Sequence, residues 1–263
     1  MLTANNITVS YGRSEILHAV DFQATAGQVT AIVGPNGSGK TTLMRAITGE
    51  NTYDGEVVLN GRDIVSAKPW ELAAIRAVLP QSTPLAFPFT VVEVVRLGLT
   101  SGITAGREHL IPRALERVGL TGFGGRFYQE LSGGEQQRVQ LARVLAQVWT
   151  PLENGAPRWL FLDEPVSALD IGHQLQVMQI ARDYADAGGG VVAVMHDLNL
   201  TAMFADSVAL IAEGRILKQD TAENVFTDGL LSRAYQCHVR VNTAPSAGTY
   251  LLPHMANSSI AAE

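Results

Sequence analysis

The feature that most constrains this chain is a glycine-rich segment between an apolar run and a helix-like stretch. It reads Gly-Pro-Asn-Gly-Ser-Gly-Lys-Thr over residues 34–41, after the apolar residues 29–33 and before residues 42–48. Glycines let the backbone wrap closely, so that successive N–H groups and the positive end of the following helix point at an anion. Lys40 adds a positive charge, and the hydroxyl of Thr41 is suited to ligate Mg²⁺. The pattern predicts a strand–loop–helix unit that binds the phosphates of a nucleotide.

Composition indicates a compact protein that does not bind nucleic acid. The chain has 263 residues, 46% of them hydrophobic, which is enough to fill a sizeable core. A net charge of −6 argues against nucleic acid as a partner, because that affinity depends on clustered cations. Cys237 is the sole cysteine, so no intrachain disulfide is possible, and the start of the chain lacks the features of a signal peptide. No segment is apolar for long enough to cross a bilayer, so we expect another chain to supply any membrane spans.

The coarse periodicity predicts an α/β fold with a parallel sheet. The strand-rich opening has candidate strands at residues 7–9, 16–22, 29–33, 56–59 and 77–79. Helical patterns follow, starting at Thr90 in a Thr-x-x-Glu capping box, continuing over residues 107–118 and beginning again at Ser132. After Pro157, strands at 159–162 and 191–195 alternate with helices at 174–187 and from Asp197. This alternation predicts helices on both faces of the sheet, with residues from about 84 to 150 inserted into it as a helical subdomain. We expect one domain over residues 1–244 and a tail over 245–263.

A second candidate motif is the apolar strand 159–162, which is followed by two carboxylates. Asp163 would stand at the carboxyl end of a parallel strand, where ligands gather, and phosphoryl-transfer ATPases use such an aspartate to hold Mg²⁺. Glu164 would then orient or deprotonate the attacking water. Alone, an Asp-Glu pair after a strand more often marks a helix start, but together with the phosphate loop it favours a catalytic site.

A third motif is Leu-Ser-Gly-Gly-Glu over residues 131–135. Ser132 and Glu135 form a capping box for a helix whose apolar residues recur at helical spacing. A well-capped helix would be a sufficient explanation, except that the glycine pair lowers helix propensity while opening the first N–H groups to an anion. The chain is therefore predicted to carry two anion-binding helix starts.

These motifs, in this order, resemble those of the ATPase subunits of ABC (ATP-binding cassette) transporters, and the resemblance covers nearly the whole chain. It implies a P-loop, RecA-like parallel sheet with an N-terminal antiparallel β subdomain and an inserted helical subdomain. Residues 34–41 match the Walker A motif, 131–135 the signature and 160–164 the Walker B strand. Val166 replaces a threonine that is usual in the family.

The resemblance also assigns site residues. Glu164, His196 and Lys40 would be catalytic, with His196 as the switch histidine that faces the γ-phosphate. Tyr11 would stack on adenine, and residues 167–170 would form the D-loop. Mg²⁺ would be held by Thr41, Gln81 and Asp163. The residues expected to contact ATP within one chain are Tyr11, Gly34, Pro35, Asn36, Gly37, Ser38, Gly39, Lys40, Thr41, Thr42, Gln81 and Asp163. Those expected to contact the ATP of a second chain are Ser132, Gly133, Gly134 and Asp170.

The segment 149–158 lengthens the usual connection before Walker B and is expected to be a loop, since it contains prolines and a glycine. Together with residues 80–90, it resembles the ATPase subunits of haemin importers, a branch of the siderophore, haem and vitamin B12 importer group. The cargo rests on this resemblance alone, because such a subunit does not touch it. A siderophore or vitamin B12 importer ATPase is the alternative within the group.

The resemblance further implies partners and location. Two copies of the chain would sandwich ATP and Mg²⁺ in a head-to-tail pair, because a signature helix cannot fold back onto its own phosphate loop. The pair would sit peripherally on the cytoplasmic face of the inner (cell) membrane, on multi-spanning permease subunits fed by a periplasmic or extracellular substrate-binding protein. A soluble ABC-type assembly ATPase is an alternative. Co-purification with a multi-spanning membrane protein would distinguish a transporter subunit from it. A DNA-repair ATPase is disfavoured, since the chain is acidic and has neither sustained heptads nor paired Cys-x-x-Cys motifs.

Overall fold

The computed structural model describes residues 1–81, 85, 87–100 and 106–253. In these ranges the strands are β1 Leu2–Tyr11, β2 Ser14–Ala24, β3 Val29–Val33, β4 Asp54–Leu59, β5 Arg62–Asp63, β6 Arg76–Leu79, β7 Leu152–Glu153, β8 Ala156–Pro157, β9 Trp159–Asp163, β10 Gly190–Val194, β11 Ser207–Ala212 and β12 Arg215–Asp220. The helices are α1 Lys40–Ile47, α2 Pro69–Ile75, α3 Val91–Arg96, α4 Leu110–Arg117, α5 Gly133–Gln147, α6 Ile171–Asp186, α7 Leu198–Phe204, α8 Ala222–Val225 and α9 Asp228–Tyr235. None of the described helices is both long and apolar enough to cross a membrane.

The central sheet has six strands in the order β12-β11-β3-β10-β9-β6. Its five strands from β11 to β6 run parallel, and β12 closes the edge as an antiparallel hairpin partner of β11. A separate antiparallel sheet has the order β2-β1-β4-β5. The predicted α/β fold, with a parallel core and an N-terminal antiparallel subdomain, is confirmed.

Two hydrophobic cores lie on the two faces of the central sheet, and strand alternation assigns each residue to one of them. In β9, Leu160 and Leu162 belong to the core that includes helices α3 to α9, whereas Trp159 and Phe161 belong to the other core. That second core is filled by α1 and by the inward side of the antiparallel sheet. Helices therefore reach both faces, as expected, but the second face is shared with a sheet.

The helices α3, α4 and α5 follow β6 and precede β9, in the part of the chain where a helical insertion is predicted. Thr90 is the N-cap of α3. Its hydroxyl accepts from the backbone N–H of Glu93, and the Glu93 carboxylate accepts from the backbone N–H of Thr90, so the predicted capping box is present. The expected start of the insertion near residue 84 and residues 254–263 of the expected tail lie outside the described residues.

The prediction that residues 149–158 form a loop is wrong in one respect. β7 and β8 pair as a short antiparallel hairpin, with Leu152 opposite Pro157. Asn154 and Gly155 form its turn, with φ of 51° and 79°. An Asn-Gly pair supports this turn because both residues tolerate positive φ.

Candidate active site

The phosphate loop connects β3 to α1, and its glycines are required by close contacts with neighbouring strands. A Cβ atom on Gly34 would lie 2.0 Å from the backbone oxygen of Ile211, in β11. A Cβ atom on Gly39, where φ is 104°, would lie 2.7 Å from Leu17, in β2. The loop is therefore held between the two sheets, with the start of α1 at its end.

Lys40 is the first residue of α1 and is 5% exposed. Its Nζ donates hydrogen bonds to the backbone oxygens of Gly34 and Pro35, at 2.9 Å each. Burial lowers the pKa of Lys40, while the charges of Glu164 and Asp163 act in the opposite direction. The ammonium group is thus a cation with little water around it, which strengthens its interaction with any anion that reaches the loop.

Three neighbouring parallel strands, β6, β9 and β10, bring polar residues to the same edge of the sheet. Gln81 follows β6, Asp163 ends β9 and is followed by Glu164, and His196 follows β10. The carboxyl ends of parallel strands meet at one edge, where open α/β sheets bind their ligands. The phosphate loop follows β3 at this edge, so two of the three predicted motifs meet here, together with Gln81 and His196, which were assigned by resemblance.

Glu164 lies at the centre of a hydrogen-bond network. Its Oε1 is 2.6 Å from Nε2 of His196, and its Oε2 accepts from Nε2 of Gln81 at 2.9 Å. The backbone has φ of 54°, a left-handed conformation that costs a non-glycine residue about 1–3 kcal/mol. The carboxylate side chain is 13% exposed, so His196 and Gln81 hold a largely buried acceptor in one orientation.

Asp163 and Thr41 place two oxygen atoms side by side. The Thr41 hydroxyl donates to Oδ1 of Asp163 at 3.3 Å, and Asp163 is 5% exposed. Burial raises the pKa of Asp163, and the charge of Glu164 raises it further. A hydroxyl and a carboxylate beside a phosphate loop are hard oxygen ligands that fit Mg²⁺, which takes one or two protein oxygens and completes its shell with phosphates and water.

An open cleft of about 710 Å³ joins these groups except Asp163, which lines a smaller neighbouring pocket. Its lining consists of Tyr11, Ile16, Asn36, Gly37, Gly39, Lys40, Thr41, Thr42, Gln81, Glu164 and His196. Tyr11 is 51% exposed at its margin, and its hydroxyl accepts from Nδ2 of Asn51 at 2.6 Å. Asn51 was not predicted from the sequence, since a lone asparagine after a helix carries no pattern.

The signature segment lies elsewhere. Ser132 caps α5, with its hydroxyl accepting from the Glu135 N–H at 3.3 Å and the Glu135 carboxylate accepting from the Ser132 N–H at 2.8 Å. The Ser132 hydroxyl also donates to the Glu135 carboxylate at 2.8 Å, and this hydrogen bond, followed by the one from the backbone N–H, lowers the pKa of Glu135. Ser132 and Gly133 are exposed, Gly134 is half-buried, and none of the three lines the cleft just described. The predicted capping box is confirmed, and the segment lies outside the cleft that the phosphate loop of its own chain lines.

Asp170, predicted to contact a second chain's nucleotide, also has a role within its own chain that the sequence patterns missed. It caps α6, accepting from the N–H of His173 at 3.0 Å and from the His173 ring at 2.9 Å. The backbone hydrogen bond, and then the ring, lower the pKa of Asp170. The predicted start of this helix near residue 174 was therefore a few residues late.

Residues 17–167, more than half of the chain, match the model of the family described as ABC transporter. This chain belongs to the ABC transporter family. It is 65% identical over 257 residues to the Hemin import ATP-binding protein HmuV of Jannaschia sp. (strain CCS1), covering 97% of this chain and 95% of that protein. The protein of the same name from Roseobacter denitrificans is 63% identical over 257 residues, covering 97% and 98%.

Solved ABC structures have the same fold. A bacterial ABC transporter cassette determined as a dimer superposes with a TM-score of 0.74 at 28% identity, covering 84% of this chain and 99% of that one. A post-hydrolysis dimer of an ATP-binding cassette bound to ADP and phosphate gives 0.73 at 27% identity, covering 84% and 99%. This ABC protein is accordingly an ATPase whose nucleotide-binding domain has the fold described above.

Proposed function

We propose that this chain is the ATP-hydrolysing subunit of a haemin importer and drives transport through separate membrane subunits. The observation that carries the proposal is the identity of 65% to a haemin-import ATPase along 97% of the chain. Such similarity extends beyond the motifs shared by all ABC ATPases, since it covers nearly the whole chain. Residues 1–244 would form the ATPase domain, with a helical insertion from about 84 to 150 and a tail from 245.

The geometry supports a division of roles around the cleft. Lys40 would exchange its two loop carbonyls for the β- and γ-phosphates of ATP, with the glycine-loop N–H groups around them. Glu164 would orient and deprotonate the attacking water, because its carboxylate is held between two side chains at the strand ends. His196 would hold that carboxylate and reach the γ-phosphate, and Tyr11 would stack on adenine at the exposed margin.

Mg²⁺ would be held by Thr41 and Asp163, with Gln81 close by. When bound, it would neutralise charge on the phosphates. Asp163 and Glu164 would then have distinct roles although they are adjacent. The raised pKa of Asp163 marks a buried carboxylate that gains from a cation, whereas Glu164 is oriented by hydrogen-bond partners towards the cleft.

The second half of the nucleotide site would come from another copy of the chain. The glycine-rich start of α5 is exposed and has no phosphate loop beside it in its own chain. In a two-fold, head-to-tail pair, Ser132, Gly133 and Gly134 of one copy would face the γ-phosphate on the other, with Asp170 nearby. ATP would close the pair because it contacts both surfaces only when closed, and hydrolysis would reopen it.

A groove of about 680 Å³ offers a place for the membrane partner. Val65, Leu72 and Arg76 are among its lining residues, and Val65 is 74% exposed. Arg76 begins β6, and Gln81 follows the other end of that strand and donates to the Glu164 carboxylate. A permease helix in this groove would therefore lie at the end of β6 opposite Gln81. The subunit would then be peripheral on the cytoplasmic face, with a substrate-binding protein on the opposite side.

Transport by the assembled complex tests the cargo. The chain would be co-expressed with a permease of the same organism and reconstituted in proteoliposomes with the cognate binding protein. We expect ATP-dependent uptake of haemin, no comparable uptake of vitamin B12 or a ferric siderophore, and no uptake with Glu164→Gln. Uptake of another cargo in place of haemin would overturn the assignment, and failure to co-purify with any permease would favour a soluble assembly ATPase.

A mixing experiment tests the shared site. Ser132→Arg places a bulky cation where the partner's γ-phosphate would sit, and Lys40→Ala disables the phosphate loop. A mixed dimer of these two variants has one site spoiled twice and one site intact on both surfaces, so equal mixing should restore roughly one quarter of wild-type turnover if each site works independently. Light scattering would monitor dimer formation. Mixed dimers without turnover would argue against independent sites, and the absence of both rescue and mixed dimers would argue against the sandwich.

A further inference from the structure

Gln137, on the second turn of α5, bridges two backbone groups outside its own helix. Its Nε2 donates to the backbone oxygen of Glu164 at 2.9 Å, and its Oε1 accepts from the backbone N–H of Ala168 at 3.3 Å. One amide side chain therefore satisfies an acceptor at the end of β9 and a donor in the D-loop. Both halves of the amide are used, which defines its orientation.

Gln137 holds the backbone carbonyl of Glu164, and the backbone of that residue orients its side chain. The carbonyl oxygen also accepts from the hydroxyl of Ser167 at 3.2 Å, while the Glu164 N–H donates to Val194 at 3.2 Å. Positive φ at Glu164 makes this orientation unfavourable for an isolated residue, so it depends on such external hydrogen bonds. Of the groups that bond this oxygen, Gln137 is the one contributed by α5.

The start of α5 also packs directly against the D-loop. A Cβ atom on Gly134 would lie 3.1 Å from the backbone oxygen of Ala168 and 3.2 Å from Leu169. The glycine pair after Ser132, the Gln137 amide and the Glu164 carbonyl are thus linked through contacts with the D-loop and with each other.

We propose that Gln137 is a positioning residue for hydrolysis. It fixes the orientation of the Glu164 carboxylate of its own chain according to the position of α5, the helix that begins at the signature segment. This rests on the composite site proposed above, in which that helix contacts the nucleotide of the partner. Closure of one site would place α5, and Gln137 would carry that placement to the water-activating carboxylate of the other site. The residues that transmit this coupling, from α5 to Glu164, belong to one chain. The two nucleotides whose sites are coupled are bound by the phosphate loops of different chains.

Two substitutions and a matched control test the positioning role. Gln137→Leu removes both hydrogen bonds, and Gln137→Glu keeps an acceptor for Ala168 but cannot donate to Glu164. Gln140 lies on the same helix as Gln137 and donates a buried hydrogen bond to the Tyr128 hydroxyl at 3.1 Å. Gln140→Met removes that bond without affecting the hydrogen bonds of Glu164. Both Gln137 variants should lower kcat by about tenfold or more, with KM for MgATP and Tm within the range of Gln140→Met. A kcat equal to that of Gln140→Met, or a near-normal kcat in Gln137→Glu, would overturn the proposal.

The mixed dimer shows which site Gln137 serves. In the mixture of Ser132→Arg and Lys40→Ala chains, the intact site takes Lys40 and Glu164 from the first chain and the signature from the second. Adding Gln137→Leu to the first chain should lower the restored turnover by about tenfold, whereas adding it to the second should change turnover by less than about twofold. The reverse pattern would mean that Gln137 supports the signature surface, and the proposal would fall. If the parent mixture restores no turnover and forms no mixed dimers, the composite site is at fault. If mixed dimers form without turnover, the two sites are not independent. In both cases the kcat comparison with Gln140→Met still decides the role of Gln137.

Discussion

Two helices of this protein begin at glycine-rich segments, and they complete their first turns in different ways. α1 starts after Gly39, which has left-handed φ and supplies no side-chain cap, and the first turn contains no acidic residue. α5 starts after Ser132, whose hydroxyl and partner Glu135 form a complete capping box. The N–H groups at the start of α1 are thus left for an incoming anion, whereas α5 satisfies part of its first turn internally.

The starts of α1 and α5 also differ in charge and burial. α1 begins with Lys40, a buried cation whose pKa is lowered by burial and which stands near two carboxylates. The start of α5 is exposed and self-contained, with a carboxylate in its own first turn. The α1 end is built to hold charge within one chain. The α5 end is a stable surface whose geometry, rather than its charge, suits it to contact a nucleotide held elsewhere.

The largest expected effect comes from the carboxylate beside the α1 end. Glu164→Gln keeps the shape and most hydrogen bonding of the side chain but removes the base, so hydrolysis should fall by about two to four orders of magnitude while ATP still binds. The variant should accumulate as an ATP-bound dimer by light scattering. Near-normal turnover would show that another group activates the water.

The exposed α5 surface should affect turnover without affecting binding. Ser132→Arg should lower hydrolysis by about tenfold or more, because an added cation blocks closure, while the affinity of an isolated chain for fluorescent ATP stays within about twofold. Ser246→Arg, a change at an exposed serine outside both regions, is a control for added charge. A loss of affinity in Ser132→Arg would mean that the signature helps to bind nucleotide within one chain.

The buried cation should affect both quantities. Lys40→Ala removes a charge-assisted contact worth about 1.5–3 kcal/mol, so ATP affinity should fall by about 10- to 100-fold, and hydrolysis should fall with it. Titration with fluorescent ATP, run in parallel with Glu164→Gln, separates loss of binding from loss of chemistry. Unchanged affinity would place the nucleotide away from the glycine loop.

The smallest effect is on stability. Because burial raises the pKa of Asp163, the folded state binds its proton more tightly than the unfolded chain does, so the stabilisation is present below the unfolded pKa and is lost as pH rises through the folded pKa. Asp163→Asn should therefore raise Tm at pH 7 in EDTA, and the difference should shrink towards pH 4. A lower Tm at pH 7 would show that the ionised carboxylate is well compensated in the fold. Glu135→Gln should give no such gain, since hydrogen bonds lower the pKa of Glu135.

Predictions from sequence succeeded where the signal and the structure are close along the chain. The capping boxes at Thr90 and Ser132 are each set by residues three apart, and both form as predicted. All the predicted strands are present, and the strand at 29–33 has the predicted ends, but most other ends differ: the strand predicted at residues 7–9 spans Leu2–Tyr11. Strand ends depend on pairing with β2 and β4, which a local pattern does not contain. The hairpin at Asn154 was missed although its turn chemistry was local.

The motif residues were predicted, but their mutual contacts were not. Gln81 and His196 were assigned to a site only by resemblance, and the structure places both on the Glu164 carboxylate. Gln137 carried no signal, because a glutamine on a helix is ordinary until the residues it bonds are known. The positive φ of Glu164 was also unforeseen, since glutamate has no preference for that conformation.

The sequence by itself determined the α/β alternation, the phosphate-loop chemistry and the self-capped start of α5, because each depends on residues that lie close together along the chain. It did not indicate β11 and β12, which complete the central sheet. The tertiary structure alone decided which groups meet. Gln81 and Glu164 lie 83 residues apart and Thr41 and Asp163 lie 122 apart, yet each pair shares a hydrogen bond. Parallel pairing of β6, β9, β10 and β3 brings their carboxyl ends to one edge, and burial there lowers the pKa of Lys40 and raises that of Asp163, which no local pattern encodes.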